Sequence, residues 1–246
     1  MDALFLLDAN FFENFGNRVF RNFIKDDRYI YILKGLGNTL KITLFAVLLG
    51  IFLGFLIAMV RSTYDINKNS KNKSSFLGIL NFICNLYLTV IRGTPAMVQL
   101  LILYYIVFSS INNKIMVAIL AFGINSGAYV AEIFRAGIMS IDKGQMEAGR
   151  SLGFNFFQSM IYVIMPQAFK NVLPALGNEI IVLVKETAIC GYIAIQDLTK
   201  GGDIIRSLTY DAYMPLLTVA IIYLILTSIM TYFVNKLERR LRSSDH

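Results

Sequence analysis

Long runs without a charged residue most constrain how this chain can fold. Residues 212–235 give twenty-four consecutive uncharged residues, and residues 42–60 give nineteen. A helix needs about 20 predominantly apolar residues to cross the hydrocarbon core of a bilayer. Of the 246 residues, 56% are hydrophobic and 16% are charged, whereas a typical soluble domain has about 25% charged residues. The sequence therefore predicts an all-α integral membrane protein.

The apolar segments and the breaks between them predict about five transmembrane helices. Residues 74–113 contain a single charge, Arg92, and are too many for one crossing. We expect an interfacial helix up to Arg92 and a crossing that starts at Pro95, because proline fits the first turn of a helix. Gly50 and Gly54 form a small-residue pair that lets another helix approach closely. The other crossings are predicted at the remaining apolar segments, 42–60, 115–140, 173–195 and 212–235.

Basic residues are distributed unevenly between the two sets of loops that these crossings create. Eleven fall on one side and three on the other. Because cytoplasmic loops are enriched in Lys and Arg, we place the first side and the C-terminus in the cytoplasm, and the N-terminus outside. The eleven are Arg61, Lys68, Lys71, Lys73, Lys143, Arg150, Lys170, Lys236, Arg239, Arg240 and Arg242, and the three are Lys114, Lys200 and Arg206.

The first 34 residues do not fit this charge pattern. They mix aromatic side chains with charges of both signs, which is typical of an irregular or interfacial helix at a membrane surface. We therefore expect residues 1–34 to form an interfacial segment on the extracytoplasmic side. Five basic residues conflict with that side, namely Arg18, Arg21, Lys25, Arg28 and Lys34.

The sequence lacks the motifs of an energy-converting or hydrolytic enzyme. It has no G-x-x-x-x-G-K-[ST] phosphate-binding loop, no G-x-S-x-G and no H-E-x-x-H. Its one histidine is His246, and Cys84 and Cys190 lack the CxxC spacing of a metal site. We expect a transport subunit without an ATPase of its own and without a bound cofactor or metal.

A polar stretch between apolar segments, residues 147–166, is predicted to lie on the water side of the membrane. We expect two short helices with a sharp turn at Gly153, since glycine adopts backbone conformations that other residues avoid. The small residues Ala148 and Gly149 leave room for this stretch to press into a groove of a partner protein. The alternative is an ordinary amphipathic cytoplasmic loop.

The spacing in this stretch resembles the EAA loop of ABC importer permeases. The family pattern is E-A-A, three residues, G, nine residues and I-x-L-P. Here Gly149, Val163 and Met165 replace three of its residues with others of similar size or character. The resemblance implies a cytoplasmic coupling helix that receives force from an ATPase. The residues to which it assigns ATPase coupling are Glu147, Ala148, Gly149, Gly153 and Pro166.

Further motifs resemble the polar amino-acid branch of the same family. They are R-G-T-P at 92–95, A-Y-V-A-E-I-F-R-A-G-I at 128–138, P-Q-A at 166–168, L-P-A-L-G-N at 173–178 and K-E-T at 185–187. The resemblance covers roughly 35–240 and implies a MetI-like permease bundle, with 241–246 as a cytoplasmic tail. It places the protein in the cytoplasmic membrane of a bacterium.

The same resemblance implies the partners of the chain. A second permease subunit, identical or related, would complete a dimer. Two cytoplasmic ATPase subunits would bind ATP and Mg²⁺, and an extracytoplasmic binding protein would deliver a polar amino acid. The permease would then open alternately to the two sides of the membrane.

Polar side chains at membrane depth are costly and usually face a cavity, a partner or a neighbouring backbone. Asn125 and Glu132 lie seven residues apart, about two helical turns, as do Asn178 and Lys185. An amino acid needs an acceptor for its ammonium group and a donor for its carboxylate. The candidate pathway residues are Asn125, Glu132, Asn178, Lys185, Glu186 and Thr187. In the alternative, which stays open, Glu132 forms a structural ion pair with Arg135, and Lys185 forms one with a neighbouring acidic residue.

Two other functional classes stay open. A secondary amino-acid transporter or channel driven by an ion gradient would need no ATPase, although inverted repeats are not evident in the sequence. A membrane sensor or scaffold would explain the cytoplasmic loop as a docking site, but it gives no reason for charges within the membrane. Acidic groups near the pathway suit a cationic substrate, and they equally suit the α-ammonium group of any amino acid.

Overall fold

The computed structural model describes residues 14–66 and 75–243, and this part of the chain contains helices and no strands. The α-helices, labelled in chain order, are α1 (Tyr29–Ile66), α2 (Ser75–Gly93), α3 (Ala96–Ile102), α4 (Lys114–Met139), α5 (Lys143–Ser151), α6 (Phe156–Ser159), α7 (Met165–Glu186), α8 (Leu198–Thr209) and α9 (Tyr213–Ser243). The predicted all-α class is confirmed. The predicted basic loop with Lys68, Lys71 and Lys73 lies outside the described residues, as do both ends of the chain.

Among the described helices, α1, α2, α4 and α9 are long and apolar enough to cross a membrane. The predicted break is present, because α2 ends at Gly93 and Pro95 caps α3. The lengths on either side of the break differ from the prediction. The helix expected to be interfacial, α2, has the length of a crossing, because no charge interrupts it before Arg92. The crossing expected from Pro95 is the shorter apolar helix Ala96–Val107.

The predicted crossing at 173–195 coincides with α7 and a 3-10 turn that follows it, Thr187–Ile193. The helix begins eight residues earlier than predicted, at Met165. Pro166 does not prevent this, because it lies in the first turn, where no N–H is needed. A π turn, Met160–Ile164, joins α6 directly to α7. The second half of the polar stretch therefore leads straight into α7. Unlike the prediction for 173–195, α7 is not among the described helices that are long and apolar enough to cross a membrane, because charged residues interrupt its apolar run.

Helices α1 and α4 lie side by side in close contact. A Cβ atom on Gly50 would lie 2.9 Å from the Oγ of Ser126, and one on Gly54 would lie 2.6 Å from a methyl carbon of Val130. Both contacts advance by four residues along both helices, so α1 and α4 run parallel. The close approach predicted for Gly50 and Gly54 is confirmed.

The largest apolar core lies where α1, α3, α4 and α7 meet. Ile42, Leu100, Phe122 and Leu183 are buried there. A second cluster packs α1 and α4 against α7 farther along the same contact. Its buried members are Ala58, Val130, Phe134, Val172 and Leu176. The pair α1–α4 is thus the centre to which the other helices attach.

The two polar regions of the protein lie at opposite ends of α1. Near its start, a Cβ atom on Gly35 would lie 2.4 Å from the carbonyl oxygen of Asp197, which precedes α8. Near its end, Asp65 lines a cavity together with Glu147 of the predicted coupling loop. The bundle therefore has an α8 end and an α5 end.

The N-terminal segment, described from residue 14 onward, is attached at the α8 end. Asn22 is fully buried and donates from Nδ2 to Oδ2 of Asp211, in the turn before α9, at 3.0 Å. Phe23 packs against an apolar cluster formed by α1, α8 and α9. The N-terminal segment and the coupling loop thus lie at opposite ends of the bundle, which is the arrangement that the predicted orientation needs.

Candidate functional site

The polar stretch forms two short helices, as predicted. Asp142 caps α5, with its Oδ1 accepting a hydrogen bond from the N–H of Gly144 at 2.6 Å. Gly153 follows α5 with a φ of +89°, in the range that favours glycine. Asn155 then caps α6 in a reciprocal arrangement with Gln158. The predicted turn at Gly153 is confirmed.

One face of α5 is buried and the other is exposed. Gly149 is buried, and a Cβ atom there would lie 2.9 Å from the Oγ of Ser159. The missing side chain therefore lets α5 pack directly on the helix that follows. The other sides of α5 and the turn directly after it expose Glu147, Ala148, Arg150 and Leu152. Because Leu152 is 78% exposed among charged neighbours, this face has the character of an interaction surface.

A network of charged side chains lies toward the α5 end of α1 and α4. The Oε2 of Glu132 accepts a hydrogen bond from Arg61 at 3.0 Å, and its Oε1 accepts one from the Nε of Arg135 at 3.0 Å. Arg135 also donates to Asp65 at 3.3 Å. A guanidinium nitrogen of Arg92 lies 3.9 Å from Glu132. The network thus connects α1, α2 and α4.

The position of Glu132 bears on its predicted role. It lies seven residues before the end of α4 at Met139, or about 10 Å along the helix axis. It therefore lies past the middle of α4, in the half of the helix toward the α5 end. Its carboxylate is engaged by arginines, including the pair with Arg135 that was the structural alternative.

A second set of polar groups lies deeper in the bundle, at the helix break. Gln99 donates to the carbonyl oxygens of Ile91 at 2.7 Å and Thr94 at 3.0 Å, which are at the break between α2 and α3. Its Oε1 accepts a hydrogen bond from Asn125 at 2.8 Å. The Oδ1 of Asn125 is buried and has no hydrogen-bond partner among the described residues. A buried acceptor of this kind favours binding of a donor.

Helix α7 contributes a carboxylate at the same level. The hydroxyl of Ser126 donates to Oε1 of Glu179 at 2.8 Å. Because Asn125 and Ser126 are consecutive, the two hydrogen-bonded pairs lie at one height in the bundle. Glu186 follows Glu179 by seven residues and shares its side of α7.

The remaining predicted pathway residues do not join these groups. Asn178 and Lys185 are exposed on α7, and Asn178 lines a groove of about 370 Å³ between α7 and α9. Thr187 is buried, and its hydroxyl donates to the carbonyl oxygen of Val184 at 2.7 Å. The hydroxyl therefore stabilises the end of α7.

The comparison with known proteins covers most of this architecture. The family model of the binding-protein-dependent transport system inner membrane component matches residues 46–243. The chain belongs to this family. The match includes the helix break, the coupling loop and both sets of polar groups, so all of them belong to the permease domain.

Curated relatives of this permease align over nearly their whole length. It is 37% identical to the arginine transport system permease protein ArtQ of Bacillus subtilis, over 87% of this chain and 94% of the relative. It is 36% identical to the putative glutamine transport system permease protein GlnP of Rickettsia typhi, over the same shares. The glutamine permease GlnP of Escherichia coli is 33% identical over 86% of this chain and 93% of its own.

Solved structures confirm the MetI-like fold of the permease. One of them is a crystal structure of an amino acid ABC transporter with histidines. Its chain is 41% identical to this one and superposes with a TM-score of 0.77, and the alignment covers 89% of this chain and 98% of the solved chain. The MetNI methionine ABC transporter shares the fold at 19% identity, with a TM-score of 0.73. The alignment covers 88% of this chain and 98% of the solved chain. The chain is therefore a multi-pass inner-membrane transport component.

Sequence reasoning missed several polar residues of the permease. Gln99 could have been found, because the break at 93–95 leaves carbonyl oxygens that need a donor, and Gln99 lies within reach in the next turn. Ser126 gave no signal, since a serine on an apolar helix has many structural explanations. Arg61 and Asp65 were assigned to a loop, whereas they lie on the last turns of α1.

Proposed function

We propose that this permease imports a polar amino acid with energy from ATP that a cytoplasmic partner hydrolyses. The observation that carries the proposal is the exposed face of α5. It combines Glu147 and Arg150 with a strongly exposed Leu152, and it rests on the buried Gly149. Such a face is rigid, lies at one end of the bundle, and suits the groove of a protein that moves it.

The proposed cargo is a polar amino acid. Relatives that align over most of this chain are named for glutamine and for arginine. Glutamine and arginine share an α-ammonium group, an α-carboxylate and a side chain that donates hydrogen bonds. The carboxylate of Glu179 and the unpartnered oxygen of Asn125 are acceptors that suit these donors.

The proposed pathway passes the helix break. Gln99, Asn125, Ser126 and Glu179 lie at one level, where α2 and α3 are interrupted. Glu186 would continue the pathway along α7. In contrast with the sequence hypothesis, Glu132 would act as a structural residue. Lys185 and Thr187 at the end of α7, and Asn178 on its exposed side, keep only an indirect proposed role.

The proposed assembly contains partners on both sides of the membrane. A cytoplasmic ATPase dimer with bound ATP and Mg²⁺ would hold α5 through Glu147, Ala148 and the turn at Gly153. A second permease subunit would complete the pathway, and an extracytoplasmic binding protein would dock at the α8 end. The C-terminus and α5 would then face the cytoplasm.

Reconstitution tests the proposal directly. The permease would be coexpressed with candidate ATPase and binding-protein subunits from the same organism and placed in proteoliposomes. We expect uptake of radiolabelled glutamine or arginine that requires ATP on the ATPase side and the binding protein on the other.

Two controls separate the alternatives. Proteoliposomes that hold the permease alone, with an imposed proton or sodium gradient, should show no uptake. Uptake under these conditions without ATP would instead identify a secondary transporter or channel. Failure of any ATPase to copurify with the permease would contradict the proposed role of α5.

A further inference from the structure

The N-terminal segment, residues 14–28, lies outside the range matched by the family model and is rigidly attached to the bundle. Asp211 accepts hydrogen bonds on Oδ2 from Asn22 at 3.0 Å and Arg21 at 3.4 Å. Its Oδ1 accepts from the N–H of Tyr213 at 3.1 Å, at the start of α9. A single carboxylate therefore fixes both the segment and the first turn of α9.

This segment has three distinct sides. One side is buried against the protein through Asn22 and Phe23. A second side is apolar and exposed, with Phe20 57% and Ile24 53% accessible. The third side is polar and lines a cavity of about 280 Å³ formed by Asn14, Asn17, Arg18 and Arg21. Such a division between apolar and basic sides is typical of helices that lie in a membrane interface.

The apolar side continues the lipid-facing surface of α1. Leu33, Leu40 and Leu44 are exposed on α1 at spacings of seven and four residues, which place them on one face. This row begins in the turns of α1 that directly follow the segment. Phe20 and Ile24 are therefore expected at the edge of the hydrocarbon core, which leaves the polar side at the level of the lipid headgroups.

The arginines of the segment differ in whether they form ion pairs. Arg28 is paired with Asp26 at 2.7 Å, and Arg21 with Asp211 at 3.4 Å. Arg18 forms no ion pair within 4 Å in the described part of the chain and borders the cavity, and the carboxylate with which it interacts at longer range, Asp211, is already engaged by Arg21 and Asn22. A guanidinium group flanked by two side-chain amides offers several N–H donors to one oxyanion.

We propose that Arg18, Asn14 and Asn17 form a binding site for the phosphate of a phospholipid headgroup, in the leaflet at the α8 end. The apolar side places Phe20 and Ile24 among the acyl chains of the same lipids. The site prefers anionic phospholipids, because their headgroups carry a net negative charge that attracts a guanidinium group. It holds the segment, and through Asp211 the start of α9, at a fixed depth.

The depth of the segment is tested with an introduced fluorophore, because the chain contains no tryptophan. The full-length chain with Phe20→Trp is placed in lipid nanodiscs that contain phospholipids brominated near the headgroup. We expect at least a twofold loss of tryptophan fluorescence. The matched control is Leu152→Trp, at an exposed position directly after α5, which should lose little fluorescence. Equal fluorescence of Phe20→Trp with and without bromine would overturn the proposal.

The headgroup site is tested with Arg18→Gln. Native mass spectrometry of the full-length chain, after partial delipidation, gives the ratio of retained phosphatidylglycerol to phosphatidylcholine. We expect a several-fold preference for phosphatidylglycerol that falls to about one in Arg18→Gln. Arg206→Gln, at the same end and paired with Asp203, should keep the preference.

The remaining outcomes separate a lipid from other partners. If millimolar inorganic phosphate removes the bound phosphatidylglycerol, the site recognises a free oxyanion and the lipid proposal is wrong. If Arg18→Gln keeps the lipid preference but weakens binding of the extracytoplasmic binding protein, the surface is a protein-docking site and the proposal is equally wrong. None of these measurements depends on the transported substrate.

Discussion

Arg61 of α1 and Glu132 of α4 are joined by a hydrogen bond of 3.0 Å. The two helices run parallel, so this contact secures them toward the α5 end, beyond the glycines that let them touch. Each partner is only about a quarter exposed or less, at 18% and 27%. The guanidinium and the carboxylate therefore bind each other in place of much of the water that would solvate them if they were exposed.

Replacement of Glu132 by Gln should destabilise the permease without changing substrate affinity. Arg61 and Arg135 would lose their shared carboxylate, and removing one partner of a buried ion pair costs about 3–5 kcal/mol. Because Glu132 is partly exposed, we expect the free energy of unfolding to fall by about 2 kcal/mol. Thermal unfolding of the purified complex measures this loss.

The matched control for Glu132→Gln is Asp203→Asn on α8. Asp203 forms exposed pairs with Lys200 and Arg206, and such pairs contribute about 0–1 kcal/mol. A Glu132→Gln complex with wild-type stability but reduced substrate affinity would restore the pathway role of Glu132.

Replacement of Glu179 by Gln should weaken the response to substrate without changing the stability of the permease. Its carboxylate accepts one hydrogen bond from Ser126, which a glutamine oxygen can also accept, so the fold should persist. Loss of the negative charge should reduce substrate-stimulated ATP hydrolysis by tenfold or more if a substrate cation binds there. The measurement is ATPase activity against amino-acid concentration. Equal curves for wild type and Glu179→Gln would remove this residue from the pathway.

Replacement of Leu152 by Asp should uncouple the permease from its proposed ATPase partner. The side chain is 78% exposed, so the change should leave the fold stable while adding charge to the proposed contact. We expect ATPase copurification to fall several-fold and ATP-driven uptake to fall with it. Leu208→Asp, on α8 at the other end and 51% exposed, is the control. Full ATPase binding by Leu152→Asp would contradict the proposed contact.

Replacement of Gly54 by Ala should separate α1 from α4. The added Cβ atom would lie 2.6 Å from Val130 and 2.8 Å from the backbone nitrogen of Ala131, so backbone must move. Overpacking of this kind costs about 1–3 kcal/mol, measured as a lower unfolding temperature. Gly78→Ala on α2 has open space around it and should be neutral or stabilising, since alanine favours helices. Equal effects of the two changes would show that close packing at Gly54 does not matter.

The α8 end should lose stability as the pH rises from 5 to 7. Burial raises the pKa of the Asp197 carboxyl from 3.8 to about 6, although the N–H groups of Lys200 and Gly191 donate to it. Because the folded pKa is above the unfolded one, the stabilisation is complete below about pH 4 and is lost as the pH passes 6. The contribution is at most about 3 kcal/mol.

Thermal unfolding at pH 5 and pH 7 measures this contribution. Asp197→Asn should reduce the difference in unfolding temperature between the two pH values, because the asparagine amide does not titrate. Asp203→Asn is the matched control, since hydrogen bonds from Lys200 and Arg206 lower the pKa of Asp203 from 3.8. Asp203 is therefore ionised at both pH values, and its replacement should leave the difference between pH 5 and pH 7 unchanged. An unchanged difference in Asp197→Asn would show that this carboxyl does not govern the pH dependence.

The sequence predicted local features well, because they depend on neighbouring residues. Gly153 forms its turn and Pro95 marks a helix break, since each restricts or frees its own backbone. Gly50 and Gly54 contact α4, because small residues four apart form a smooth face. Each of these properties can be inferred from a few consecutive residues.

Side-chain partnership was harder to predict, because it depends on how distant segments pack. Asn125 and Glu132 share a helix and a spacing of seven, yet Asn125 pairs with Gln99 and Glu132 with Arg61. The helix period gives the side of α4 on which both residues lie. It gives neither the depth at which α2 and α3 are interrupted nor the distance that α1 extends beyond the membrane.

Helix α1 has 38 residues and is therefore about 57 Å long, nearly twice the thickness of the hydrocarbon core. Its first turns contact α8, and Asp65 near its end borders the cavity beside α5. A tilt of only about 5° would shift one end of such a rod by about 5 Å relative to the other. Events at the surface proposed to contact the ATPase and at the opposite end of the bundle would then be mechanically linked within a single subunit, through one uninterrupted helix.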